Sequence, residues 1–142
     1  MAQFNGNSHS LIIDYYEGAY GPTIRIDTVQ VSDLVLLRSV FLALAEGQPT
    51  CTDLGEALGA RISGSSGITL EVVLSDPKRC LKRAKSRTRQ PEFRWLRSAK
   101  GWRWCAAMVD GLLKKQTPGH QYLTNEKQDE ALIELAFKER AK

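Results

Sequence analysis

Between residues 23 and 47 the chain changes its hydrophobic period once, and that change narrows the possible folds more than any other feature. Ile24 and Ile26 alternate with Arg25 and Asp27, the two-residue period of a half-buried strand. Leu34, Leu37, Phe41 and Leu44 then recur at spacings of three, four and three, which lays one apolar stripe along a helix. Ser32 or Asp33 is expected to cap it, since a short side-chain oxygen accepts from the free amides of the first turn. Gly47 suits a left-handed helix end, and Pro49 prevents resumption. A strand followed directly by an amphipathic helix requires a sheet for the helix to cover.

Ser10–Tyr16 is β-branched and aromatic, and Gly18–Pro22 is a turn signal, so residues 10–28 predict a hairpin. Leu54, Leu58 and Ile62 have helical spacing that Gly55 and Gly59 interrupt. Gly64–Gly67 predicts a flexible connector and not a phosphate loop, because no Gly-Lys-Ser/Thr opens a helix there. Ile68–Ser75 predicts a strand stopped by Asp76-Pro77, and Glu92–Arg97 another with Phe93 and Trp95 on one face. Trp102, Cys105, Val109 and Leu112 predict a helix over about 102–115; the rival is a hairpin pairing Phe93/Trp95 with Trp102/Trp104. His120–Thr124 follows Pro118-Gly119 as a short strand. Residues 126–140 read as helix or strand, and the strand alternative would pair with 120–124. No internal repeat is visible. This mixture predicts an α+β fold: an antiparallel sheet of about five or six strands with two main helices on one face.

One domain is expected over 1–142, with a loose N-terminus at 1–9. A chain of 142 residues can bury about two thirds of its unfolded surface without staples. No apolar run approaches the roughly 20 residues that span a bilayer, and no secretory signal is legible, so a cytoplasmic location without membrane contact is expected. Cys51, Cys80 and Cys105 are an odd, widely spaced set, which predicts free thiols with Cys105 in the core, and neither disulfide nor zinc.

Charge is distributed unevenly. Residues 1–77 carry a net −6, residues 78–104 a net +10, and residues 105–142 balance. The stretch 78–91 has Leu81 as its one large apolar side chain and predicts an exposed, solvated helix-to-loop excursion. Lys82, Arg83, Lys85, Arg87, Arg89, Arg94 and Arg97 are candidate contacts to an acidic partner. Trp102 is expected in the core, whereas Trp104 lies off the helical stripe and is a candidate contact surface.

The C-terminal third resembles a group of small, uncharacterised bacterial α+β proteins. The likeness rests on Gly111-Leu112-Leu113, on Pro118-Gly119-His120-Gln121-Tyr122-Leu123-Thr124, and on Asp129 to Phe137. In size and layout the chain is also similar to immunity proteins that neutralise bacterial toxins, a likeness of architecture alone.

His120, beside Tyr122, is the one plausible acid or base, but no spacing rule brings a second catalytic group to it. A histidine bonded within a turn is the simpler expectation, with His120 and Tyr122 kept as candidate binding residues. Asp129 and Glu130 are expected on solvated surface. The sequence therefore predicts a non-enzymatic macromolecular binding protein without cofactor or metal. Its expected partner is another protein, in one form a toxin, and the alternative is RNA or DNA bound through residues 78–104.

Overall fold

The computed structural model describes residues 11–19, 21–58, 67–85, 92–124 and 128–139. Alternation does produce the first hairpin: β1 (Ile12–Gly18) pairs antiparallel with β2 (Gly21–Thr28), and Ile13, Ile24 and Ile26 face inward, fully buried. The apolar stripe forms α1 (Val31–Ala45), whose Leu34, Leu37, Phe41 and Leu44 are fully buried. Gly47 adopts a φ of 75°, the left-handed conformation its position predicts. Neither expected cap operates. Gln30 holds the N-cap position without a side-chain bond, and Asp33 is buried, accepting from Thr28 Oγ1 at 2.7 Å. Locking the helix to the end of β2 replaced capping it.

The chain continues through β3 (Cys51–Asp53), the single turn α2 (Leu54–Ala57), β4 (Gly67–Val72), β5 (Leu81–Ala84) and β6 (Glu92–Arg97). It closes with α3 (Ala99–Lys115), β7 (Gly119–Tyr122) and β8 (Leu132–Phe137). These strands do not make one antiparallel sheet of five or six. They make two four-stranded mixed sheets, ordered β1-β2-β8-β7 and β3-β4-β6-β5, with three helices. In each sheet the central pair is parallel, β2 with β8 and β4 with β6, and the outer pairs are antiparallel. Parallel pairing between strands 25 or 109 residues apart leaves no local trace in sequence, and β3 and β5 are too short to show a period.

This arrangement is a repeat that the sequence conceals. Each half of the chain runs two strands, a long helix and two strands: β1-β2-α1-β3-β4, with α2 as an insert, then β5-β6-α3-β7-β8. Each sheet joins the first strand pair of one half to the second pair of the other. The helices α1 and α3 pack together where the halves meet, with Arg38 Nε on Asp110 Oδ1 at 2.6 Å.

One hydrophobic cluster links both sheets and all three helices. At its centre Phe41 stacks on Trp102 at 5.6 Å and 19°, and Trp95 meets both edge-on, at 5.6 and 5.0 Å. Trp102 Nε1 donates to the Glu71 carbonyl at 3.2 Å, satisfying the one polar atom of a fully buried ring. The hairpin rival for Trp102 and Trp104 is excluded, since both lie on α3. The strand reading of the C-terminus holds: β8 pairs antiparallel with β7.

Candidate functional site

Two places on the fold gather chemically able side chains. The first surrounds the start of α3. Ser98 caps this helix by accepting from Gly101 N at 3.1 Å, and Asp76 accepts from Ser98 N at 2.6 Å. Arg97, the last residue of β6, lies across the first helical turn. Its Nε and Nη2 donate to the Asp76 carboxylate at 3.2 and 3.4 Å, and its guanidinium stands 5.5 Å from the Trp104 ring centroid. Gly101 makes this seat possible, because a Cβ there would fall 2.5 Å from Arg97 Nε.

Asp76, Arg97, Gly101 and Trp104 line a pocket of about 450 Å³ together with Cys80, Lys100, Leu123 and Asp129. Trp104 is 44% exposed at its rim, as its position off the stripe predicted. Burial pushes the Asp76 carboxyl up, but hydrogen bonds from Arg97 and the Ser98 amide outweigh it and hold the group below its ordinary value. Burial pushes the Cys105 thiol up to about 12 despite the neighbouring Arg97, so it stays a protonated core residue. All three cysteines are free thiols.

The stretch 78–91 departs from its expected helix-to-loop form, since residues 81–84 are strand β5 with Leu81 fully buried against Trp95. Lys82 and Arg94 are register partners on the outer face of the second sheet. Arg83 is on the opposite face of β5, its guanidinium 6.0 Å from the rings of both Tyr15 and Phe93, and Lys85 is exposed. Arg87 and Arg89 lie outside the described residues. Carboxylates from other segments face three of these basic residues: Glu71 meets Arg94 at 3.2 Å, Asp76 meets Arg97 at 3.2 Å, and Glu130 meets Arg79 at 3.4 Å.

Glu130 is exposed as the sequence suggested, whereas Asp129 is half-buried, and both carboxylates hold backbone amides. Asp129 Oδ1 accepts from the amides of Cys80 and Leu81 at 2.7 and 3.0 Å, and Glu130 Oε1 accepts from Arg83 N at 2.7 Å. They fasten the segment before β8 to the edge strand β5. Their signal was not local, because their partners are about fifty residues away.

The second place is the outer face of the first sheet, where strand register supplies the second group for His120 that spacing alone did not. Asp14, Arg25, Glu134 and Tyr122 form one row across β1, β2, β8 and β7. Asp27, Ala136 and His120 form the next. Lys138, at a left-handed φ of 57°, turns the chain after β8, and Glu139 comes to His120, with Oε2 2.8 Å from Nδ1. Tyr122 sits edge-on to the imidazole at 5.4 Å. Glu134 is 8% exposed and accepts from the Tyr16 hydroxyl at 3.2 Å, while Arg25 Nη2 is 3.7 Å from Glu139 Oε1. Burial first, and then the Glu134 charge, push the Tyr16 phenol up, so it remains a donor. Arg25, Glu134 and Glu139 were missed by sequence reasoning, although alternation placed Arg25 on the outward face of its strand.

The predicted residues thus separate. Arg97 and Trp104 belong to the pocket, His120 and Tyr122 to the opposite sheet, and Lys82, Arg83, Lys85 and Arg94 to strands β5 and β6 and their edge. No protein-family model matches the chain, and neither a curated protein nor a solved structure matches it. No helix among the described residues is long and apolar enough to cross a membrane.

Proposed function

We propose that the protein is a non-enzymatic binding module whose recognition surface is the pocket at the start of α3. Its partner in this reading is a protein segment presenting an apolar anchor beside a carboxylate. The observation that carries the reading is the half-exposed Trp104 with Arg97 seated against it at the rim of that pocket. Tryptophan and arginine dominate the energetics of protein interfaces, because each buries a large rigid surface with a polar end. Arg97 is held in place before binding by Asp76, so little side-chain entropy is lost on association. Lys100, exposed on the first turn, supplies the cation for the carboxylate.

A protein partner is favoured over nucleic acid by the lining and by the ion pairs. The rim offers the half-exposed Trp104 ring to an apolar anchor, and Arg79, Arg94 and Arg97 already face carboxylates instead of standing free for phosphates. Neutralisation of a toxin by covering its surface is one form of this reading, and it rests on the architectural likeness alone.

The test is a tagged pull-down from native lysate with nuclease, repeated with Trp104→Ala, Lys100→Glu and Lys82→Glu. The expected result is one stoichiometric protein partner retained by the wild type and by Lys82→Glu but lost with Trp104→Ala and Lys100→Glu. A partner indifferent to Trp104 and Lys100, or co-purifying nucleic acid lost on nuclease treatment with no protein left behind, would overturn the proposal.

A further inference from the structure

The geometry points to a divalent transition-metal site on the outer face of the first sheet, with His120, Glu134 and Glu139 as ligands and Zn²⁺ as the representative cation. These three side chains each present one ligand atom, and all three atoms lie within 4.8 Å of one another. An imidazole with two carboxylates is a donor set suited to borderline divalent cations. Tetrahedral zinc, with bonds of about 2.0–2.1 Å, separates its ligand atoms by roughly 3.3 Å. His120 Nδ1 and Glu139 Oε2 stand at 2.8 Å, a little closer than that. Rotations about side-chain bonds would bring the set to coordinating distances without moving the strands.

Two independent observations support a cation here beyond the count of ligands. Glu134 is nine-tenths buried, with the neutral Tyr16 phenol at 3.2 Å and Arg25 as its register partner on β2, whose Nη2 turns to Glu139. A bound cation would offset that desolvation. The surrounding contacts also have the form of an outer shell. Tyr16 holds one oxygen of Glu134, and Arg25 stands against one oxygen of Glu139 while the other turns to His120. Among the described residues, Asp14 and Asp27 add negative charge in the rows beside Arg25, so the face as a whole favours a cation. Ala136, the register partner of His120, keeps the floor between His120 and Asp27 small.

One coordination position would remain for water, because the protein supplies three ligands. The inference is independent of the binding pocket, whose lining shares no residue with the site.

The experiment is titration of the full chain with Zn²⁺, read by calorimetry and by thermal melting, followed by substitution with Co²⁺ and visible spectroscopy. One equivalent is expected to bind and to raise Tm. His120→Ala and Glu134→Gln are each expected to weaken binding by about tenfold or more, while Cys51→Ser leaves it unchanged. Co²⁺ is expected to show visible d–d bands without the near-ultraviolet charge-transfer band of a thiolate ligand. Melting of each metal-free variant confirms that it is folded. No Tm rise with Zn²⁺, affinity unchanged in folded His120→Ala and Glu134→Gln, or a thiolate band would each overturn the site.

Discussion

Substituting Gly101 by alanine isolates the seat of Arg97. The added Cβ would lie 2.5 Å from Nε and 2.8 Å from Cζ and Nη2 of Arg97, contacts that real atoms do not tolerate. The obstructing group is the end of a flexible side chain, so Arg97 leaves its seat and the backbone stays. Hydrogen bonds to charged groups contribute about 1.5–3 kcal/mol each, but Asp76 is 39% exposed, and solvent screening reduces its pair to about 1 kcal/mol. Loss of the Trp104 contact adds about 0.5–1 kcal/mol. Against this, alanine in place of glycine favours the helix by up to about 1 kcal/mol. The net is a destabilisation of about 1 kcal/mol, a fall in Tm of roughly 4 °C for a domain this size. The decisive measurement is the same substitution in an Arg97→Ala background, where only the helix-propensity gain remains and the sign should reverse. Urea denaturation of the four proteins closes the cycle. A Gly101→Ala effect that is equally destabilising in both backgrounds would refute the steric reasoning.

The depressed Asp76 carboxyl makes stability depend on acid pH. Its folded value lies below its unfolded one near 3.8, so its contribution is present above that pH and is lost as pH falls through the folded value. Melting of wild type against Asp76→Asn should show the gap closing below about pH 4; a gap constant from pH 7 to 3 would contradict it. The exchanged strand pairs predict reassembly from fragments. Cut after Leu74, which is 105% exposed, residues 1–74 and 75–142 should be unfolded alone and recover the native circular dichroism when mixed. Independent cooperative folding of either fragment would show that the halves do not depend on each other's strands.

Local periodicity carried far in this chain. Alternation at Ile24/Ile26 and at Phe93/Trp95, and the stripes Leu34–Leu44 and Trp102–Leu112, set which side each residue shows to the core, because burial of apolar surface follows the repeat of the local backbone. Buried Trp102 and Cys105 and exposed Trp104 were legible for the same reason. Which strands lie beside which was not legible. The pairings of β2 with β8 and of β4 with β6 join segments whose order in space depends on how α1 and α3 pack, and a strand's period is identical whether its neighbour is parallel or antiparallel.

Both candidate sites inherit that division. Sequence singled out Arg97, Trp104, His120 and Tyr122 by residue type, since each has a distinctive charge or ring in a polar setting. Only tertiary structure gave them companions. Asp76 reaches Arg97 because β4 and β6 are neighbours, and Glu134 comes near His120, with Arg25 against Glu139, because β2, β8 and β7 are in register. The sequence by itself determined the longer elements β1, β2, α1, β4, β6 and α3 and their inward faces, which depend on spacings of two to four residues, but not β3 or β5. The fold decided the charge partners and the sites, because a contact between Arg25 and Glu139, or Asp76 and Arg97, comes from chain closure and leaves no periodic mark on either segment.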